Sequence, residues 1–239
     1  DGEYQNKSKI FIQKKIKSKC IELTHSCSSA LEIAMLLINL KKDDEVIMPS
    51  YTFTSTANAV LLRGAKPVFV DINADDINLN PRLAEKKINK KTKAIIVVHY
   101  AGVSCDMSYF LKLKKKYGIF LIEDAAHSFM GKYKNQFLGT IGDIGAFSFH
   151  ETKNLVGGQC GAISINNLNF RKKAKIILDK GTDRSFINNK KKYYSWCGVG
   201  SEYRATELSS ALLFGQLAKL NKIQNLREKI WNKYNENFS

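Results

Sequence analysis

The chain has 239 residues, 44% hydrophobic and 25% charged, which allows one sizeable α/β domain with a buried core. No apolar run approaches the ~18–20 residues that span a bilayer and no signal peptide opens the chain, so a cytoplasmic protein without a membrane partner is expected. The net charge of +16 invites nucleic-acid binding, but the excess is lysine spread along amphipathic segments, so no nucleic-acid partner is expected and a basic site for an anionic substrate stays compatible.

Residues 8–19 read as a basic amphipathic helix and Ile21 to Leu23 as a short strand. Thr24-His25-Ser26-Cys27-Ser28-Ser29 is a polar turn before an apolar helix, Ala30 to Leu40. Small polar residues at a helix start serve as N-caps. The same geometry makes an anion site, because free backbone N–H groups and the helix dipole meet at one spot; both uses stay open. Asp43-Asp44 turns the chain into a strand, Glu45–Pro49. Strands and helices then alternate: helix Phe53–Arg63, strand Pro67–Ile72, helix Pro81–Ile88, strand Ala94–His99, helix Met107–Tyr117, strand Ile119–Glu123. Rich in Val, Ile and Phe without polar alternation, these strands suit a parallel sheet covered on both faces and joined by right-handed crossovers. In such sheets ligands bind beyond the carboxyl ends of the strands.

The last of these strands runs into Glu123-Asp124-Ala125-Ala126-His127-Ser128. Asp124 is either a cap for the next helix or a functional carboxylate, and a histidine such as His127 is more often structural. Within residues 137–150 glycines recur every third position, which is not the dinucleotide GxGxxG spacing. His150-Glu151 followed by Asn154 also fails the HExxH zinc pattern. The five cysteines, at 20, 27, 105, 160 and 197, include no CxxC pair, so reduced thiols are expected and no metal.

A strand from Ile144 to Phe149 delivers Lys153 into the loop Ser148–Asn154, which Gly157-Gly158 close. A lysine held this way can form a Schiff base with a carbonyl compound, although one lysine among so many is by itself an ordinary surface group. Strand Cys160–Ile165, a basic helix from Phe170 to Lys180, a loop from Gly181 through 188–192 to Trp196, and one long amphipathic helix from Thr206 to about Asn237 complete the chain. Without an internal repeat or low-complexity linker, residues 1–239 are expected to form one domain. Because the chain opens at Asp1 and ends within a predicted helix, a fragment of a longer protein is expected.

Three signals thus stand in order: a small-residue turn at a helix start, an Asp at a strand end, and a Lys after a later strand. Pyridoxal 5′-phosphate requires that set, since its phosphate needs backbone donors, its ring nitrogen a carboxylate and its aldehyde a lysine.

Gly64-Ala65-Lys66-Pro67-Val68-Phe69-Val70-Asp71, Glu123 to His127, Gly145-Ala146-Phe147-Ser148-Phe149 and Lys153 resemble the DegT/DnrJ/StrS sugar-nucleotide aminotransferases, over nearly the whole chain. The resemblance implies the large domain of a fold-type I, aspartate-aminotransferase-like enzyme, cut short at both ends. Its architecture would be three-layer αβα, with a mostly parallel central sheet and helices on both faces. It further implies a homodimer with the active site at the subunit interface. By position, Lys153 is the Schiff-base lysine and Asp124 the partner of the ring nitrogen. His127 stands where the family often has glutamine, near the ring's 3-oxygen. Ser148 with the amides of Cys27 and Ser28 would hold the phosphate. Phe53 occupies the place of an aromatic that covers the ring, core packing being the rival for any Phe. Arg184, Tyr203 and Arg204 are the implied substrate residues.

One departure stands out. Family members place Asn-Tyr-Arg-Met before the last helix, and its Asn reaches the partner's phosphate; here the sequence is Ser201-Glu202-Tyr203-Arg204-Ala205, and Glu202 would repel a phosphate. The stretches Phe149–Asn154 and Lys180–Ser185 are most similar to the 4-amino-4,6-dideoxygalactose-forming members. These imply a glutamate donor and a dTDP-4-keto-6-deoxy-hexose acceptor. The family's sugar 3-dehydratases carry His in place of Lys153, so the lysine argues against that reaction. A regulatory, DNA-binding protein on the same scaffold is the alternative of another class, motivated by the charge.

Overall fold

The structure, a computed structural model, describes residues 2–187 and 192–238; of the predicted loop stretch 188–192, all but Lys192 lies outside them. In chain order the elements are α1 (Glu3–Lys15), β1 (Ile21–Thr24), α2 (Cys27–Leu37), β2 (Glu45–Pro49), α3 (Thr54–Leu61), β3 (Lys66–Val70), α4 (Pro81–Lys87), β4 (Thr92–Val98) and α5 (Met107–Tyr117). There follow β5 (Phe120–Asp124), β6 (Lys132–Tyr133), β7 (Gln136–Phe137), β8 (Ile144–Ser148), β9 (Gly161–Ile165), α6 (Arg171–Leu178), α7 (Glu207–Ala218) and α8 (Leu220–Phe238).

Seven strands make one sheet in the order β1-β9-β8-β5-β4-β2-β3, while β6 and β7 pair as a separate hairpin that the sequence pattern does not announce. The pairings from β8 through β5, β4 and β2 to β3 are parallel. Strand β9 runs against both of its neighbours, β8 and β1, and is the single reversed strand of a mostly parallel sheet.

Alternation of side chains along each strand sorts the core into two layers. Met48, Ile96, Ile122, Ala146 and Ile163 face one side and pack on α2, α3 and α6. Ile47, Val97 and Leu121 face the other and pack on α4 and α5. On that second side, α1 and α7 cover the β8–β9–β1 end through Ile12, Ile16, Leu213, Phe147 and Ala162. The arrangement is the expected αβα sandwich. Its parity also decides the site: Asp124 shares the face of Ile122, and Ser148 that of Ala146, so both end on the α2 side.

Most expected bounds hold to within three residues, α2 starting at Cys27 and not at Ala30, and two elements differ more. The first helix lies earlier than residues 8–19, because the chain leaves helical geometry at Ile16 and Lys17 takes a φ of 54°. The expected continuous helix from Thr206 breaks at Lys219, whose N–H bonds back to Gln216 and Leu217, giving α7 and α8. Among the described residues no helix is long and apolar enough to cross a membrane, and no cluster of three or more metal-ligating side chains occurs.

Candidate active site

The carboxyl ends of β5 and β8 lie side by side, with Asp124 paired to Ala146. Asp124 is 5% exposed. Thr56 Oγ1 donates to its Oδ2 at 2.8 Å and the Ala126 N–H to its Oδ1 at 3.2 Å. Burial pushes the carboxyl above its usual range, and the Thr56 and Ala126 hydrogen bonds oppose that rise. Among the described residues no cation lies within ion-pair distance of it.

Beyond β8 the chain makes the loop that carries Lys153. The Phe149 N–H bonds to Cys160 O at 2.8 Å and the Gly157 N–H to Phe149 O at 2.7 Å, which pinches the loop shut. The Lys153 N–H to His150 O bond, 2.9 Å, sets the turn at the lysine itself. Lys153 lines a cavity of about 180 Å³ together with Ala101, Ala126, His127, Ser148 and Asn154. Lys153 and Asp124 act on common neighbours, since both charges bear on His127 and on Cys27. Partial burial and then the Lys153 charge lower the His127 pKa, against the pull of Asp124.

The polar turn that opens α2 lies against β9, beside β8. Ser26 caps α2 by accepting the Ser29 N–H at 3.1 Å. Ser148 pairs with Gly161. A Cβ on Gly161 would overlap the Ser26 carbonyl carbon and the Cys27 nitrogen, so glycine is what lets the helix start lie directly on the strand. Burial, followed by Asp124, raises the Cys27 thiol well above its usual range, and Lys153 opposes it. Ser28 Oγ donates to Ser55 Oγ at 2.6 Å, tying this turn to α3.

Other predicted residues fall elsewhere. Phe53, just before α3, is 75% exposed, which removes core packing as its role, and it does not line the Lys153 cavity. Arg184 and Arg204 line a separate cavity of about 690 Å³ with Lys9, Lys175, Glu22 and Asp179, sharing no residue with the first. Arg204 is ion-paired there, its Nε 2.8 Å from Asp179 Oδ1 and its Nη1 3.7 Å from Glu22 Oε2. Tyr203 donates its hydroxyl to Glu32 at 3.3 Å. Glu202 is paired with Lys180, so its charge is met within the chain.

Four residues in or beside the site have roles that are not apparent from the sequence. Thr56, fully buried, anchors Asp124. Tyr100 sets its ring edge-on to His127 at 5.4 Å and is met in turn by Tyr51 at 4.7 Å. Glu123 faces away from the site and collects the N–H groups of Gly139, Ile141 and Gly142 at 2.6–2.7 Å and His99 Nε2 at 3.0 Å. That accounts for the glycine run as a carboxylate nest. Tyr51 and Thr56 lie in the hydroxyl-rich run of residues 50–56, but nothing in that run singles them out.

Known proteins share this sequence and this fold. The chain is 38% identical over 227 residues to MJ1066 of Methanocaldococcus jannaschii, an uncharacterised protein, covering 93% of this chain and 59% of that one. It is 35% identical over 218 residues to the spore coat polysaccharide biosynthesis protein SpsC of Bacillus subtilis, covering 90% of this chain and 56% of the other. The fold superposes on Spr1654 of Streptococcus pneumoniae, a candidate sugar aminotransferase in its PLP form, with a TM-score of 0.89 and 25% identity, covering all of this chain and 64% of that one. The chain therefore spans less than two thirds of each relative. The sequence pattern of one family extends over residues 9–239, and the chain belongs to it: the DegT/DnrJ/EryC1/StrS aminotransferase family.

Proposed function

We propose that residues 1–239 form the cofactor-binding large domain of a pyridoxal 5′-phosphate-dependent sugar-nucleotide aminotransferase. The observation that carries this reading is the buried Asp124 carboxylate, held by Thr56 without a cationic partner among the described residues and bonded to the N–H of Ala126, which with His127 and Lys153 lines one cavity. A buried carboxylate in that condition suits a protonated ring nitrogen. The Gly161 cradle beneath the α2 start suits a phosphate. The residues present fit the group.

Lys153 would hold the cofactor's aldehyde covalently, and Asp124 would keep the ring nitrogen protonated. Ser148 Oγ with the Cys27 and Ser28 amides would hold the phosphate, and Phe53 would limit the tilt of the ring. When bound, pyridoxal phosphate supplies a carbonyl that takes up amines and a ring that accepts the electrons of a broken C–H bond. Lys153 Nζ would also serve as the base that moves a proton at the carbon bearing the substrate amine. The donor would be an amino acid, L-glutamate by resemblance. The acceptor would be the 4-keto carbon of dTDP-4-keto-6-deoxy-D-glucose, giving dTDP-4-amino-4,6-dideoxygalactose for a surface polysaccharide such as O-antigen or enterobacterial common antigen. The name of SpsC supports a polysaccharide route. The gluco epimer differs in the face of C4 that receives the proton.

Arg184, Tyr203 and Arg204 belong, in this reading, to substrate binding across a homodimer interface; none of the three lines the Lys153 cavity of its own chain. Borohydride reduction of the chain with pyridoxal phosphate, followed by peptide mapping, tests the assignment. Label at Lys153 is expected; absence of bound cofactor, or label scattered over surface lysines, overturns it. NMR of the amino sugar then reports the C4 configuration.

A further inference from the structure

Ala101 and His127 both line the Lys153 cavity. Between them runs one hydrogen bond: the Ala101 N–H donates to His127 Nδ1 at 3.2 Å. A ring nitrogen that accepts a hydrogen bond carries no proton, so the neutral ring has its hydrogen on Nε2. Protonating Nδ1 would set two N–H groups against each other.

The donor is held in an unfavourable conformation. Ala101 has φ 50° and ψ 19°, the left-handed region that a residue with a Cβ avoids. Such a residue persists when its surroundings fix it on both sides. Here the Tyr100 N–H is held by Asn78 Oδ1 at 3.1 Å, and Asn78, 1% exposed, also donates to Val103 O at 3.2 Å. The His99 N–H is bonded to Asp124 O at 3.1 Å, so the strained turn starts from the carboxylate strand itself. The Tyr100 ring rests edge-on against the imidazole. The charged groups that bear on His127 are Lys153 and Asp124.

We propose that the left-handed Ala101 peptide is a positioning group for His127: it holds the imidazole as the neutral Nε2–H tautomer, so that His127 presents a hydrogen-bond donor, not a base or a cation, to an oxygen bound in the cavity. That the oxygen belongs to the ring hydroxyl of pyridoxal phosphate rests on the function proposed above. The tautomer does not.

Long-range ¹H–¹⁵N NMR of the histidine-labelled chain without cofactor tests this directly, with the His127 signals assigned by their loss in His127→Gln. The expected pattern is an unprotonated Nδ1 and a protonated Nε2 at neutral pH. His99, whose Nδ1 accepts the Cys105 N–H at 3.2 Å, supplies a reference of the same tautomer in the same spectrum. Ala101→Gly keeps the left-handed turn and should leave the His127 pattern unchanged. Ala101→Val disfavours it and should lower the Nε2–H preference about fivefold, the worth of one hydrogen bond, with the His99 signals in place to verify the fold. An Nδ1–H or doubly protonated His127 in the parent chain overturns the proposal, as does an Ala101→Val spectrum identical to the parent's. Failure of pyridoxal phosphate to bind, with the tautomer pattern intact, would count against the cofactor and leave the positioning role standing.

Discussion

Thr56 Oγ1 donates to Asp124 Oδ2 at 2.8 Å inside the core, with Thr52 Oγ1 2.9 Å behind it, so a helix that carries no charged group still sets the electrostatics of the site. Thr56→Val keeps the shape and removes the donor. The carboxyl, already raised by burial, then loses the largest of the effects that oppose its protonation. A hydrogen bond to a charged group contributes about 1.5–3 kcal/mol. Pyridoxal phosphate affinity, followed by absorbance titration, should fall at least about tenfold. Unchanged affinity would remove Thr56 from the site.

Asp124 itself should cost stability when no cofactor is bound. Its folded-state pKa is raised, so the folded chain holds this proton more tightly than the unfolded chain does. The penalty is absent below the unfolded value near pH ~3.9 and grows as pH rises through the folded value. Asp124→Asn should therefore be more stable than the parent chain at neutral pH in urea unfolding, and the difference should vanish in acid. The same substitution should abolish amino transfer. A destabilised Asn variant at neutral pH would mean that the carboxylate is compensated after all.

Glu123 and Asp124 are adjacent acids with opposite duties. Glu123 accepts four donors on the face away from the cavity, three of them backbone N–H groups of residues 139–142. Glu123→Gln replaces one accepting oxygen with an NH₂ that must face a donor, which should cost about 3 kcal/mol. Urea unfolding reads the loss. Glu123→Ala should be no better, because it strands all four donors.

How much of this could be read from the sequence depended on whether burial or conformation carried the signal. The strand Glu45–Pro49 and the helix Met107–Tyr117 have the bounds expected of them, because apolar content and caps act locally. The reversal of β9 was hidden: Gly161–Ile165 is buried on both faces, so its residues look the same in either direction. The break at Lys219 was hidden too, since no Gly or Pro marks it and the apolar pattern continues into α8. In the site, Lys153, His127 and Ser148 stood out through their order in the chain and the family resemblance, not by type alone, and they line one cavity. Thr56 did not, since one hydroxyl among Ser50, Thr52, Thr54, Ser55 and Thr56 is selected only by helix phase. Ala101 carries no chemical label at all; its contribution is a backbone angle.

Gly161 offers the sharpest separation of fold from site. It lies in a buried strand, pairs with Ser148, and its missing side chain is the space into which the Ser26–Cys27 peptide fits. Gly161→Ala must push the α2 start off the sheet, and overpacking of this kind typically costs about 1–3 kcal/mol. The displaced amides are the ones assigned to the phosphate. Inorganic phosphate and pyridoxal phosphate should therefore both bind more weakly, whereas pyridoxal, which has no phosphate, should lose little. Equal weakening of pyridoxal and pyridoxal phosphate, measured by absorbance titration on the folded variant, would mean that the helix start is not the phosphate cradle and that Gly161 serves packing alone.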